Sequence, residues 1–343
     1  MSHPFRPPLQ TMEARVYEGW PPGDFVYEPK WDGFRSLSWS APEVRLDSRN
    51  ERPLLRYFPE LRPALEQLPE GTVVDGEIVV VVDGATEFDT LQQRIHPAES
   101  RINMLSRATP AELVAFDLLA DRGEDLRQLA FAKRRQRLVA LAGTLGHPWH
   151  LTPQTSDEGL AKRWFDEFES AGCDGIIAKD PDGTYQSGKR AMIKVKHRRT
   201  IDAVVGGFRE HKDGGKIGSL LLGLYNDRGE FHFMGHCSGF PDGDRVEIYN
   251  RFLELISGDS FDEQARAPGA QSRWTGDKDS SWTPVQPGVV VEVSYDQLEG
   301  DRFRHATRFH RWRPDKAAKD CTMEQLERPE GPGFVDVVDG RSA

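Results

Sequence analysis

A ten-residue stretch from Val73 to Val82 constrains the fold more than any other part of the chain. It reads VVDGEIVVVV, and every residue outside the Asp-Gly-Glu interruption is β-branched. Such a run predicts a buried β-strand. It also places the carboxylate of Glu77 within an apolar strand, where burial is costly unless a cation, a metal ion or a hydroxyl partners the charge. The simpler interpretation is an acid on a strand edge that faces water.

The composition is that of a folded, soluble protein. Of 343 residues, 37% are hydrophobic and 29% are charged, which excludes a disordered chain. Aliphatic runs end after about five residues, whereas a membrane span needs about 20, and no secretory signal is visible. Cys173, Cys237 and Cys321 form no CxxC pair, so neither a disulfide framework nor a zinc knuckle is expected. We therefore expect a cytoplasmic protein with no membrane partner.

The net charge of −10 argues against a nucleic-acid partner, but the charges are unevenly distributed. Residues 185–200 contain six basic side chains and no acidic one, and residues 301–320 contain seven basic and three acidic ones. The last 23 residues contain five acids and two bases. Local basic stretches, rather than the total charge, would meet a phosphate backbone.

Strands and helices alternate in the first part of the chain. The predicted strands are Phe25–Trp31, Phe34–Trp39, Val44–Leu46, Val73–Val82, Leu113–Leu119, Ile176–Lys179 and Met192–Lys196, and the predicted helices are Phe131–Leu141 and Leu160–Ser170. This pattern predicts a strand-rich first domain over residues 1–199.

The pattern changes near residue 200. Short strands are predicted at Ala203–Phe208, Ile217–Tyr225, Glu230–His236 and Val289–Tyr295, with one helix at Asp244–Ile256. Short strands with one helix predict a small barrel such as an OB-fold over residues 200–325. Residues 326–343 are expected to form an acidic flexible tail.

The most informative segment for chemistry runs from Glu28 to Arg35 and reads EPKWDGFR. Lys30 lies at the end of a predicted strand, and the Asp-Gly pair behind it predicts a tight turn that can present the amine to a cleft. A free lysine has a pKa of about 10.4, so a nucleophilic lysine needs cationic neighbours or desolvation to lose its proton. For this segment alone, an exposed hairpin lysine is the simpler interpretation.

Two later strands carry further charged residues. Asp174 and Lys179 lie at the two ends of a short apolar strand. Lys194 and Lys196 alternate with apolar residues, so both lysines lie on one strand face. Two neighbouring like charges are unfavourable unless an anion lies between them, which indicates either a phosphate-binding face or a solvated one.

Seven segments in order resemble the motifs of the covalent nucleotidyltransferases, and among them those of the ATP-dependent DNA ligases. They are Lys30–Arg35, Ser48–Asn50, Asp75–Glu77, Phe116–Leu119, Asp174–Lys179, Lys194–Lys196 and Arg308–Lys316. The family resemblance implies an α+β fold. Its N-terminal nucleotidyltransferase (adenylation) domain would contain antiparallel sheets with helices, and its C-terminal domain would be an OB-fold β-barrel.

The resemblance also implies a role for each matching residue. Lys30 would be the nucleophile that takes AMP from ATP. The implied nucleotide-binding residues are Glu28 and Phe116 at the adenine, Arg35, Arg49, Glu77 and Arg190 at the ribose and phosphates, Lys194 and Lys196 at the α-phosphate, and Arg313, Asp315 and Lys316 at the pyrophosphate. Glu77 and Asp174 would bind a divalent ion, Mg²⁺ or Mn²⁺.

The implied substrate is nicked duplex DNA, and the implied enzyme is a monomer that associates with the nucleoid when it acts. The compact layout and the segment Arg304–Phe309 resemble the small bacterial ligases called ligase C, which are accessory to repair. The family motif usually opens with Glu where this chain has Asp174, whose side chain is one methylene shorter. We therefore expect a less direct contact between Asp174 and the metal ion.

Two alternatives stay open at this point. An RNA ligase or a capping-type guanylyltransferase shares the lysine motif and the first domain, and the capping enzyme would use GTP. A non-catalytic nick-binding scaffold would need neither Lys30 nor the two metal carboxylates together.

Overall fold

The computed structural model describes residues 2–258, 260–262, 268, 281–296, 298–300 and 302–342. The chain divides into two compact units. The first unit consists of Met1–His197 together with Arg328–Ala343, and the second consists of Arg198–Glu327. The units divide between residues 197 and 198, against a predicted boundary between 199 and 200.

Strands and helices are numbered in chain order. The strands are β1 (Ala14–Val16), β2 (Val26–Pro29), β3 (Phe34–Trp39), β4 (Arg45–Ser48), β5 (Val73–Val82), β6 (Ala85–Thr86), β7 (Ala111–Asp121), β8 (Glu124–Asp125), β9 (Trp149–Leu151), β10 (Gly175–Lys179), β11 (Met192–Lys196), β12 (Arg199–Glu210), β13 (Ile217–Tyr225), β14 (Phe231–Cys237), β15 (Thr283–Pro284), β16 (Val290–Tyr295), β17 (Leu298–Glu299), β18 (Arg302–Phe303) and β19 (Arg308–Trp312). The α-helices are α1 (Arg62–Glu66), α2 (Phe88–Gln92), α3 (Glu99–Ala108), α4 (Phe131–Ala142), α5 (Glu158–Glu167), α6 (Arg245–Leu253) and α7 (Phe334–Val338). None of these described helices has both the length and the apolar character that a membrane span requires.

The first unit contains two sheets. One has the strand order β1-β11-β10-β2 and is antiparallel except for the pair of β1 with β11. The other has the order β4-β3-β5-β7-β8, with β6 paired to β5 and β9 paired in parallel to β7. The connection from β2 to β3 joins the two sheets, and it carries Lys30.

Strand β5 has the predicted bounds and explains the β-branched run. Val74, Ile78 and Val80 pack into a core cluster with Leu46. Val79 faces the other way, into a different cluster that contains Trp31. Because both faces of the strand are buried, nearly every position must be apolar, and the run is continuous rather than alternating.

The second unit is a curled antiparallel sheet with the order β14-β13-β12-β16-β19, and β15 pairs with β12. Its two edge strands meet where the backbone N–H of Thr307 donates to the carbonyl of His236 at 2.9 Å. Helix α6 adds Ile248 and Phe252 to the core of the barrel. The predicted α+β fold class, with a C-terminal barrel, is confirmed.

The prediction of a flexible tail over residues 326–343 is wrong for most of that segment. Helix α7 buries Phe334 and Val337 completely or nearly so, and the backbone N–H of Phe334 donates to the carbonyl of Gly84 at 2.6 Å. These two apolar residues are three positions apart and lie on one face of a short helix. The acidic residues around them hid this face in the composition.

Candidate active site

The backbone brings Lys30 and Asp174 together. Strands β2 and β10 are antiparallel, with Pro29 opposite Ile176. Their hydrogen bonding continues beyond the strands, because the N–H of Lys30 donates to the carbonyl of Gly175 at 2.8 Å and the N–H of Asp174 donates to the carbonyl of Lys30 at 2.9 Å. The two side chains therefore start from neighbouring positions at one end of the sheet.

Asp174 lies between two lysines. Its Oδ1 is 2.6 Å from Lys30 Nζ, and its Oδ2 is 3.1 Å from Lys196 Nζ. Lys196 reaches this point because it lies opposite Gly175 in the register of β11 with β10. We call these three residues the Asp174 cluster. Sequence reasoning predicted all three, and the structure brings them together.

The cluster holds Lys30 in its charged form. Burial acts to lower the pKa of Lys30, but attraction and hydrogen bonding by Asp174 outweigh it and the pKa is raised. Burial acts to raise the pKa of Asp174, but the two lysines outweigh it and the pKa is lowered. The pKa of Lys194 is lowered by burial and by the neighbouring charges of Lys30 and Lys196. The local excess of positive charge suits an anion such as a phosphate.

Two glycines allow this close packing. A Cβ atom on Gly33 would lie 2.3 Å from the carbonyl oxygen of Ile78. Gly175 has a φ of +144°, and a Cβ there would lie 2.0 Å from the carbonyl oxygen of Val195. The backbone therefore requires glycine at these two positions, in addition to any chemistry of the aspartates that precede them.

The second sheet contributes Arg35 and Glu77, which lie opposite each other on β3 and β5. The Arg35 guanidinium donates two hydrogen bonds to the carboxylate of Asp75, at 2.9 and 2.6 Å. Asp75 is fully buried and also accepts a hydrogen bond from the Tyr185 hydroxyl at 2.6 Å. Asp75 therefore fixes Arg35, a role that sequence reasoning did not assign to it.

Glu77 differs from the other acids of the site in its surroundings. Within the described residues its carboxylate has no hydrogen bond or ion pair, and burial raises its pKa to about 8 despite the attraction of Lys30 and Arg35. A carboxylate in this state fits a divalent cation. Asp174 fits less directly, because both of its oxygens face lysine ammonium groups and a metal ion would have to compete with them.

Glu28 and Phe116 are connected by Lys179. The carboxylate of Glu28 lies 2.6 Å from Lys179 Nζ in a nearly fully buried ion pair, and it also accepts a hydrogen bond from Gln154 at 3.2 Å. Lys179 Nζ lies 4.8 Å from the Phe116 ring centroid, and Arg35 Cζ lies 4.9 Å from it. Lys179 ends one of the predicted motifs, and the sequence alone indicates no role for it in the site.

Arg49 and Arg190 lie at the margin of the site. Arg49 is exposed in the turn after β4, and its charge contributes to the lowered pKa of Lys194. The side chain of Arg190 is 74% exposed, and its Nε lies 3.8 Å from Glu13. Among the described residues, Arg190 makes no ion pair with the Asp174 cluster.

Two predicted residues of the last motif lie beside one acid of the second unit, and the third pairs with one of these two. Arg313 Nη1 lies 2.8 Å from an oxygen of Asp202, and Lys316 Nζ lies 3.8 Å from the same carboxylate. Arg313 Nη2 lies 2.9 Å from Asp315, and this hydrogen bond lowers the pKa of Asp315 to about 2. We call Asp202, Arg313, Asp315 and Lys316 the Asp202 cluster. Sequence reasoning missed Asp202 because it lies far from the others in the chain.

Two family models match the chain. One is described as the ATP dependent DNA ligase domain and matches residues 10–196, and the other is the ATP dependent DNA ligase C terminal region and matches residues 213–316. DNA ligase C of Mycobacterium tuberculosis is 46% identical and covers 99% of both chains. DNA ligase C2 of Mycolicibacterium smegmatis is 47% identical over 96% of this chain and 97% of that protein.

A more distant relative and a solved structure extend the comparison. The multifunctional non-homologous end joining DNA repair protein LigD of Mycobacterium tuberculosis is 30% identical over 88% of this chain and 37% of that protein. A structure of a Lig E DNA ligase covers 90% of this chain and all of its own, with a TM-score of 0.54 at 17% identity. That likeness concerns the fold alone.

Proposed function

The chain belongs to the ATP-dependent DNA ligase family, and we propose that it seals nicks with a 5′-phosphate and a 3′-hydroxyl in duplex DNA. The observation that carries the proposal is the Asp174 cluster, in which Asp174 lies between Lys30 and Lys196, with the charges of Lys194 and Glu77 close enough to interact with Lys30. This arrangement provides a nucleophile, an anion-binding surface and an acid for a metal ion close to one another.

In the first step Lys30 attacks the α-phosphorus of ATP. The Lys30 ammonium first loses one proton to solvent, because only the neutral amine has a lone pair. A nitrogen–phosphorus bond then forms as the bond to pyrophosphate breaks, and a second proton leaves the nitrogen for solvent, which gives a phosphoramidate and free pyrophosphate. Lys194 and Lys196 neutralise the α-phosphate oxygens, and an incoming phosphate competes with Asp174 for Lys196. This in-line displacement depends mainly on positioning and charge stabilisation.

The adenine is placed by the Phe116 ring, and Lys179 holds that ring near Glu28. Arg35 and Arg49 lie on the side of the ribose and phosphates. Arg313 and Lys316 orient the pyrophosphate in this first step. Glu77 and Asp174 would hold Mg²⁺ or Mn²⁺, which supplies positive charge to offset the phosphates when it is bound.

Two further steps complete the reaction. The AMP moves from Lys30 to the 5′-phosphate of the nick, which forms an adenylated DNA end. The 3′-hydroxyl then attacks that phosphate, a new phosphodiester bond forms, and AMP leaves. The basic stretch over residues 185–200 contacts the DNA backbone, so sealing weakens as salt is added.

The setting of the enzyme is also part of the proposal. We propose a monomeric cytoplasmic enzyme that associates with the nucleoid and serves DNA repair. All three cysteines are free and buried, which suits a reducing compartment. The repair role is supported by the names of the relatives, which include DNA ligase C and a DNA repair protein.

Incubation with α-labelled ATP and Mg²⁺ or Mn²⁺, followed by a denaturing gel, tests the proposal. We expect a covalent AMP adduct that is abolished in Lys30→Ala and in Lys30→Arg, because a guanidinium is not deprotonated in proteins. Lys162→Ala is the matched control, since that exposed lysine pairs with Glu158 in the preceding helical turn and is no member of the Asp174 cluster.

Three results would contradict parts of this proposal. A stable adduct in Lys30→Ala would contradict the nucleophile assignment. Labelling by GTP in preference to ATP would favour a capping-type enzyme. Absence of any adduct in the unmutated protein would favour a nick-binding scaffold.

A further inference from the structure

A second group of ligand-type side chains lies outside the nucleotide site, and we propose that it binds a transition-metal ion of the Zn²⁺ class. The group consists of Glu112, His147 and His150. Strands β7 and β9 run parallel, with Val114 opposite His150. Glu112 lies two residues before Val114 and therefore shares its face of the sheet. The His150 Nε2 atom is hydrogen-bonded to the Glu112 carboxylate.

His147 completes the group from the segment that leads into β9. One nitrogen or oxygen from each of the three residues lies within 4.8 Å of the others. Two ligands of a tetrahedral Zn²⁺ at 2.0–2.1 Å are separated by about 3.4 Å. His147 is exposed, so rotation of its side chain can close this difference without movement of the core.

Hydrogen bonds and burial fix the strand behind the site. Trp149 lies between His147 and His150 in the sequence and is buried. Its Nε1 donates a hydrogen bond to the carbonyl of Ala64 at 3.0 Å. The N–H of Leu113 donates to the carbonyl of Pro148 at 2.9 Å, which fixes the segment between the two histidines. Two of the three ligands are thus held in place before any ion binds, which reduces the ordering that binding requires.

The donor set distinguishes this site from the nucleotide site. Two imidazoles and one carboxylate suit Zn²⁺ and its analogue Co²⁺, whereas Mg²⁺ prefers oxygen ligands such as Glu77 and Asp174. Glu112 precedes Phe116 by four residues on β7, a distance of about 13 Å along a strand at about 3.3 Å per residue. The two sites therefore share a strand without sharing ligands.

A bound ion would stabilise the first unit. The His150 ring lies 5.1 Å from the ring of Phe334 in α7, and Phe334 lies 5.4 Å from Trp31. A ligand that binds the folded chain and not the unfolded one raises the Tm with its concentration. The ion would thus fix the side chain against which the C-terminal helix packs.

Metal titration of the full-length, tag-free and metal-stripped protein tests this proposal. We expect one Zn²⁺ per chain by calorimetry, an increase in Tm, and visible absorption bands from bound Co²⁺. His147→Ala should weaken Zn²⁺ binding by about tenfold or more, the scale on which changes in a metal site act. His211→Ala is the control, because its imidazole faces the single carboxylate of Asp213 at 3.2 Å.

The proposal is overturned if the unmutated protein shows neither a Tm increase nor Co²⁺ bands. It is also overturned if His147→Ala binds Zn²⁺ like the unmutated protein. Because His147 is exposed, we expect the metal-free His147→Ala variant to keep the Tm of the metal-free unmutated protein. Glu112→Gln provides a second test, and it should also weaken Zn²⁺ binding. These readouts do not involve ligation, so their failure leaves the proposed function untouched.

Discussion

The two units each place one aspartate between two cationic side chains, but the charge balance differs. In the first unit, Asp174 lies between Lys30 and Lys196, at 2.6 and 3.1 Å. In the second unit, Asp202 faces Arg313 at 2.8 Å and Lys316 at 3.8 Å. The first cluster therefore has more positive than negative charge.

The Asp202 cluster is neutralised from within. Besides Asp202, the Arg313 guanidinium lies 2.9 Å from Asp315 and 3.5 Å from Glu292. Three carboxylates thus surround one guanidinium, whereas two ammonium groups surround one carboxylate in the Asp174 cluster. The comparison indicates that the first cluster attracts a phosphate as it stands. We expect the second cluster to bind a phosphate only when the phosphate displaces the cluster's own acids.

Among the tests of this comparison, we expect the largest loss of activity when an acid of the first unit is removed. Asp174→Ala or Glu77→Ala should lower adduct formation and nick sealing by more than about tenfold, because each removes a proposed metal ligand. Asp166→Ala, at an exposed position of α5, is the matched control. Initial rates with labelled ATP measure the effect, and EDTA should abolish activity. Near-normal rates in both variants would contradict the metal assignment.

Removal of Arg313 or Lys316 in the second unit should slow adduct formation but not the sealing of a pre-adenylated nick. Arg313→Ala or Lys316→Ala should lower adduct formation with ATP by about tenfold or more, because the leaving pyrophosphate loses its charge partner. Sealing of a pre-adenylated nick should stay within about twofold, since no pyrophosphate leaves in that step. Asp213→Ala, on the surface of the same unit, is the control. Equal loss of both steps would contradict a role confined to pyrophosphate.

A smaller effect on catalysis is expected from the C-terminal helix that supports the first cluster. Phe334→Ala opens a cavity beside Trp31, the residue after Lys30, and should lower the free energy of unfolding by about 3–5 kcal/mol. Adduct formation should fall only a few-fold at temperatures where the protein stays folded. Val335→Ala changes a neighbouring residue that is 65% exposed and should change neither quantity. Urea unfolding compares the two, and equal stability would contradict the packing role of α7.

The parts of the fold that the sequence predicted are those with a strong local pattern. Strands β3, β5, β11 and β13 have the predicted bounds. Helix α3 and strand β19 were not predicted, because their few apolar residues lie among polar and charged ones, and α7 is too short to show an apolar period. The resemblance to ligase C is confirmed by relatives 44–47% identical to the chain.

The site could be predicted only in part, because its partners are distant in the chain. The motif residues Lys30, Asp174 and Lys196 converge because each lies at the end of a strand in one sheet. The hydrogen bonds of Arg35 with Asp75 and of Arg313 with Asp202 join residues that are 40 and 111 positions apart. No local pattern reveals such pairs, because they depend on which strands become neighbours. The catalytic and binding roles of these residues stay predictions.

The smallest expected effect concerns the length of the acid in the first cluster. Asp174→Glu restores the residue that is commoner in the family, and we expect adduct formation within about threefold of the unmutated rate. The longer side chain must still meet Lys30 and Lys196, which now lie 2.6 and 3.1 Å from the carboxylate. The carboxylate keeps its charge, so the excess of positive charge in the cluster is unchanged. A folded Asp174→Glu variant without activity would show that the Asp174 cluster depends on the shorter acid, and that its geometry matters beyond its charge balance.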